Sequence, residues 1–242
     1  MRISMITGVR SRFHGPDIKT SLRPSEDHGR VVLKDSADIG STLPSEEKAA
    51  KEIVNKMLTS SAGFLEMRTL TKAARKLGLP NMEKLLANGV RIAVHRDDPF
   101  ALNRRLFVAE YDPVGKVLRI APRRLSVSTV LHELGHALDD VLEPDKSPGE
   151  PVLKSGVDSG LKKLYKDYCE RTWNLSWWNR LWKQGLWSDY ATENEHEYLA
   201  EGIMFFARGP GDREKLHKND EGLWEYVRKM MAPFPFRKIC AF

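Results

Sequence analysis

His132-Glu-Leu-Gly-His-Ala-Leu-Asp-Asp140 is the stretch from which the fold can be read. Its two histidines stand four residues apart, so on a helix both imidazoles leave the same face one turn apart, as two ligands of one metal ion must. Glu133 then lies beside the ion, where a carboxylate can take a proton from bound water. With seven His and 18 Glu in 242 residues, chance supplies such a pattern roughly 0.015 times. The flanks agree with a helix. Leu131, Leu134, Leu138 and Val141 recur at helical spacing, Ser126 or Ser128 is a suitable N-cap, and Pro144 ends the run.

Before this helix the pattern changes twice. Ser45 can cap a helix carrying Ile53, Val54, Met57 and Leu58, and shorter helical patterns follow at 70–77, closed by Gly78, and 82–87, closed by Asn88-Gly89. Residues 90–95 and 106–111 then alternate with period two, Asp112-Pro-Val-Gly115 supplies a turn, and 116–121 returns as a strand. This predicts a small, mostly antiparallel sheet, with 116–121 as an edge strand that could take an extended peptide. After Pro122 the chain reads as helices, at 161–173, 192–208 and 212–231, separated by a Pro/Gly/Ser-rich loop and a tryptophan-rich segment. Helices, a small sheet and more helices predict an α+β domain over 44–242. Residues 1–43, rich in turn formers and charge, read as a flexible N-terminal segment.

Composition removes several classes. A chain of 242 residues with 41% hydrophobic content can bury a core, and a net charge of +6 is moderate for its size. Cys169 and Cys240 are too few for a disulfide scaffold or a four-cysteine zinc finger. The longest notable apolar run, Gly202 to Ala207, is far short of a membrane span, and Met1 to Arg10 lacks a signal-peptide core, so the sequence reads as cytoplasmic. The basic pairs 104–105, 123–124 and 162–163 lack the interleaved aromatics of a nucleic-acid groove, and none is expected as a ligand.

Two histidines need a third protein ligand, with water in the fourth position. Asp139 and Leu142 occupy the places where an extended HExxH motif would carry its Gly and its next ligand, so the third ligand lies farther on. Tyr190-Ala-Thr-Glu-Asn-Glu-His-Glu-Tyr-Leu-Ala-Glu201 offers four carboxylates. Glu193 suits the start of a helix. Glu195 heads the stripe Leu199, Gly202, Ile203, Phe206, whereas Glu197 shares a stripe with Ala200, Glu201, Met204 and Phe205. Buried acids need compensation, so helical geometry favours Glu197 as the ligand, with Glu201 receiving the other N–H of a ligand histidine, and leaves Glu195 as the alternative.

His132-Glu-Leu-Gly-His-Ala-Leu-Asp-Asp140 with Tyr190, Glu197 and Glu201 resembles the anthrax lethal factor-like metallopeptidases, a group that includes the Pro-Pro endopeptidases. The resemblance covers 128–142 and 188–206. It implies a zincin-like fold whose C-terminal helical subdomain carries the glutamate ligand, with one catalytic zinc ion held by His132, His136 and Glu197 in the gluzincin manner. It also implies Glu133 as general base, Tyr190 as a donor to the oxyanion and Glu201 as a supporting acid. The activity implied is endopeptidase hydrolysis by Glu-assisted attack of zinc-bound water on a peptide or protein, with a preference for proline-containing sequences. Members of this group are typically exported. A monomer is expected.

Other features have a structural and a functional reading. Trp173, Trp177, Trp178, Trp182 and Trp187 read as core packing, with a substrate wall or an interfacial membrane contact as alternatives. His95, His196 and His217 read as lone structural or exposed histidines, and Asp139 and Asp140 as helix-end or ion-pairing acids. The rival to a peptidase is a non-catalytic, zinc-containing basic module that binds an acidic partner or nucleic acid. A structural site of that kind would prefer four protein ligands and has no use for an oxyanion donor.

Overall fold

Apolar periodicity decides the first three helices. In α1 (Leu43–Met57), Ala50, Ile53, Val54 and Met57 are buried on one face, and α2 (Phe64–Leu77) meets them with Leu70, Ala73, Ala74 and Leu77. The second helix begins earlier than its sequence pattern suggests, at Phe64. Gly78 ends it in a left-handed conformation (φ 93°) that a side chain would resist, and α3 (Leu79–Ala87) follows at once with Pro80 in its first turn. The computed structural model describes residues 43–95, 108–121, 125–142, 153–173 and 190–231. The expectations for 1–42, the basic pairs 104–105 and 123–124, and four of the five clustered tryptophans lie outside these residues. Trp173, the fifth, ends a helix with 69% of its surface exposed, so core packing does not apply to it.

Three strands form the sheet, β1 (Arg91–Val94), β2 (Ala109–Asp112) and β3 (Val117–Ile120), in the order β1-β3-β2. The β2–β3 hairpin is antiparallel as expected, with Tyr111 opposite Leu118, but β1 pairs with β3 in parallel. The sheet is therefore mixed rather than mostly antiparallel. Strand 117–120 lies in the middle, so it cannot be the edge the sequence suggested. The outer side of β1 is met by residues 58–60, where Thr59 N–H donates to Ile92 C=O (2.9 Å) and Val94 N–H to Ser60 Oγ (2.8 Å). The side of β2 facing away from β3 is the other edge. Ala121 N–H donates to Val108 C=O, and the alternation of antiparallel bonding then points the N–H and C=O of Ala109 and Tyr111 outward.

The remaining helices are α4 (Val127–Val141), α5 (Ser159–Trp173), α6 (Glu195–Arg208), α7 (Pro210–Asn219) and α8 (Glu221–Met230). Two short 3-10 turns, 154–156 and 190–192, precede α5 and α6. The final helix expected over 212–231 is two helices, because Asp220 accepts the Leu223 N–H and starts α8 as a cap. Asp220 also accepts from the Tyr198 hydroxyl (2.6 Å) and lies 3.2 Å from Arg171, tying α6, α8 and α5 together. One core joins Leu131, Leu134 and Leu138 of α4 with Leu199, Ile203 and Phe206 of α6 and with Ile92, Leu118 and Ile120 of the sheet. No helix among the described residues is long and apolar enough to cross a membrane.

Candidate metal centre

Both helices that build the site have defined starts. Ser126 Oγ accepts the Thr129 N–H (3.0 Å) at the head of α4, and Asn194 Oδ1 accepts the N–H groups of His196 (3.0 Å) and Glu197 (2.9 Å) at the head of α6. The helices run antiparallel, so contacts pair residues whose numbers rise on one and fall on the other: His132 with Glu201, His136 with Glu197, Asp139 with His196. Between the first two, Gly135 lies against Ala200. A Cβ there would stand 3.0 Å from Ala200 Cα, so any side chain would push the two helices a few tenths of an ångström apart.

His132, His136 and Glu197 converge, each offering an atom within 4.8 Å of the others, in a group that could hold a metal ion. Glu197 Oε2 is 3.0 Å from His132 Nε2, Glu197 Oε1 is 3.5 Å from His136 Nε2, and the two Nε2 atoms are 3.2 Å apart. Behind them, His132 Nδ1 lies 2.9 Å from Glu201 Oε1. A carboxylate only accepts, so Nδ1 donates its proton to Glu201, and Nε2 is left facing His136 and Glu197. Glu197 Oε2 is buried and, despite its 3.0 Å approach to His132, has no aligned hydrogen-bond donor. A carboxylate and two imidazoles this close in a buried place need positive charge between them, which a proton on His132 or a bound cation supplies. The donor set, two imidazoles and one carboxylate, fits a divalent ion.

The electrostatics agree. Burial would lower the proton affinity of His132, but Glu197 and Glu201 outweigh it and hold the pKa up at about 10. Burial would raise Glu197, yet His132 and His136 keep it well below the usual carboxylate range. Such a field favours positive charge.

Glu133 is buried, and its Oε2 accepts the Tyr111 N–H of β2 at 2.8 Å. Its pKa is raised, chiefly by burial and further by the Glu197 charge, against the opposing pull of His136, His132 and the Tyr111 N–H. The Tyr111 hydroxyl donates to Asp140 (2.8 Å), so this one residue grips α4 at two points two turns apart. Tyr190, in the turn before α6, is 40% exposed with its ring centroid 6.4 Å from that of His132.

Of the acids weighed in the sequence, Glu197 and Glu201 face the histidines; Glu195 is half-buried and lies outside the three-residue group. Asp139 accepts from Ser155, and His196 also meets Ser155, so neither is an isolated surface group. His217, by contrast, is half-exposed and packs on Trp224. The sequence reasoning missed Gly135, Tyr111 and Ser155. A glycine inside a helix was a signal for the first, since it costs helix stability unless packing requires it. The other two act through contacts remote in sequence and leave no periodic trace.

Among solved structures, the chain is similar to the Pro-Pro endopeptidase PPEP-2 of Paenibacillus alvei, with a TM-score of 0.50 and 13% identity over 74% of this chain and 99% of that one. At that identity the similarity shows a shared fold. No protein-family model matches the chain, nor does any curated protein sequence.

Proposed function

We propose that this chain is a zinc-dependent endopeptidase of the gluzincin, lethal factor-like type. The observation that carries the reading is the convergence of His132, His136 and Glu197, with Glu133 beside them and Glu201 behind. The endopeptidase fold of the neighbour supports it. His132, His136 and Glu197 would hold the ion, which when bound polarises a peptide carbonyl and lowers the pKa of a coordinated water towards neutrality. Glu133 accepts the proton of the attacking water and returns it to the leaving amine. The Tyr111 N–H holds one oxygen of that carboxylate, which leaves the other to carry the proton. The Tyr190 hydroxyl donates to the oxygen on which negative charge develops. Glu201 fixes the His132 tautomer that presents Nε2 to the ion.

The outward groups of Ala109 and the outward C=O of Tyr111 offer main-chain bonds to an extended peptide, which moves the proposed docking edge from 116–121 to β2. A preference for proline-containing sequences follows the neighbour and belongs to the same proposal. Against a purely structural zinc, three ligand groups converge among the described residues rather than four, and a buried carboxylate stands next to them.

The test is digestion of a peptide library that includes Pro-Pro sequences, read by mass spectrometry alongside a zinc assay. We expect one zinc per chain and cleavage that a chelator stops and zinc restores. Hydrolysis indifferent to chelation, or a protein that takes up no zinc, would overturn the reading.

A further inference from the structure

We propose that Asp139, Ser155 and His196 form a rung that sets the separation of the two ligand-bearing helices, and thereby the affinity of the His132–His136–Glu197 group for a divalent ion. The inference rests on the reading that this group holds such an ion. Asp139 follows His136 by three residues on α4, and His196 immediately precedes Glu197 on α6. Ser155, from the turn at 154–156, stands between them. Its N–H donates to Asp139 Oδ1 at 2.7 Å, and its hydroxyl contacts both Asp139 Oδ2 and His196 Nδ1. His196 Nδ1 is itself 3.6 Å from Asp139 Oδ2.

Counting protons makes the cluster self-consistent. One hydroxyl hydrogen serves one acceptor; given to Asp139, it leaves Ser155 Oγ to accept from the Nδ1–H of His196. Asp139 then has two donors although it is 1% exposed, and Ser155 is wholly buried. The imidazole lies against the turn, because a Cβ on Gly156 would come within 3.1 Å of His196 Cε1. The location matters more than the bonds themselves. His132–Glu201, Gly135–Ala200 and His136–Glu197 hold the middle of the helix pair, and beyond them towards the start of α6 this rung is the next tie. Without it the first turn of α6, which carries Glu197, can swing from α4. Because the ligands must meet at one point, a small swing costs affinity.

The experiment measures zinc(II) affinity by competition with a chromogenic chelator, on the full chain, for Ser155→Ala, His196→Ala and Tyr198→Phe. Tyr198→Phe is the control: it removes a buried hydroxyl bond from the same helix, to Asp220, away from the rung. We expect Ser155→Ala and His196→Ala each to weaken zinc binding by about tenfold or more, the scale seen for supporting contacts around metal ligands, with Tyr198→Phe near wild type. His196 is partly exposed, so His196→Ala carries the test even where Ser155→Ala fails to fold. Wild-type affinity in either folded rung variant, or an equal loss in Tyr198→Phe, overturns the proposal. Absence of zinc binding by the wild-type chain is a different result, and removes the peptidase reading itself.

Discussion

Gly135 and Ala200 touch backbone to backbone: a Cβ on Gly135 would lie 3.0 Å from Ala200 Cα and 3.2 Å from its carbonyl oxygen. The glycine between His132 and His136 is therefore the point where α4 admits α6. An alanine elsewhere in a helix is better than glycine by about 1 kcal/mol. Here the obstructing atoms are main chain and cannot rotate aside, and overpacking costs about 1–3 kcal/mol. We expect Gly135→Ala to lose stability, by about 1 kcal/mol net, and to bind zinc more weakly because His136 and Glu197 are pushed apart. Thermal unfolding together with chelator competition checks both; a stabilised variant with intact affinity would mean the helices are not in tight contact.

Glu133→Gln separates chemistry from stability. The amide keeps an oxygen to accept the Tyr111 N–H but cannot act as a base. We expect stoichiometric zinc and a loss of peptide hydrolysis. In the chelated protein the same change is expected to stabilise at neutral pH. The folded pKa of Glu133 is raised above its unfolded value, so its favourable contribution is present in acid and is lost as pH rises through the folded pKa. The variant's advantage in melting temperature should thus grow from acid to neutral pH. A constant gap, or a less stable variant, argues against a buried charge.

Tyr190→Phe tests the exposed side of the site. The ring keeps its place near His132 and only the hydroxyl goes. A contact made in the transition state alone lowers kcat without raising KM, and loss of one oxyanion donor costs about 10²–10³ in rate. A raised KM with unchanged kcat would make Tyr190 a substrate-binding residue instead.

What the sequence made legible was local. The i, i+4 histidines, the Ser126 cap and the apolar stripe needed only helical geometry, and α4 has them all. Glu197 and Glu201 stood out because acids on an apolar stripe require partners, and each lies within 3.0 Å of His132. The parallel pairing of β1 with β3 was not legible, since period-two alternation says which residues are buried but not which strand lies beside which. Nor was the break at Asp220, where a cap inside an otherwise helical run competes with continuation. Ser155 reaches residues 16 and 41 positions away, and such contacts appear only in the folded chain.

Zinc itself should act as a ligand of the folded state. Glu133, Glu197 and Glu201 are buried around two imidazoles, and a cation bound among them stabilises the native chain alone. Binding at a hundredfold excess over Kd adds about 2.7 kcal/mol. We expect the melting temperature to rise with zinc and to fall with chelator. The rise should disappear in Glu197→Gln, which halves the carboxylate's ligand capacity and removes the charge next to both histidines, and persist in Glu195→Gln, whose position lies outside the converging group. If Glu195→Gln rather than Glu197→Gln abolished the shift, the third ligand would have been misplaced by two residues, and the pairing of α4 with α6 would have to be redrawn.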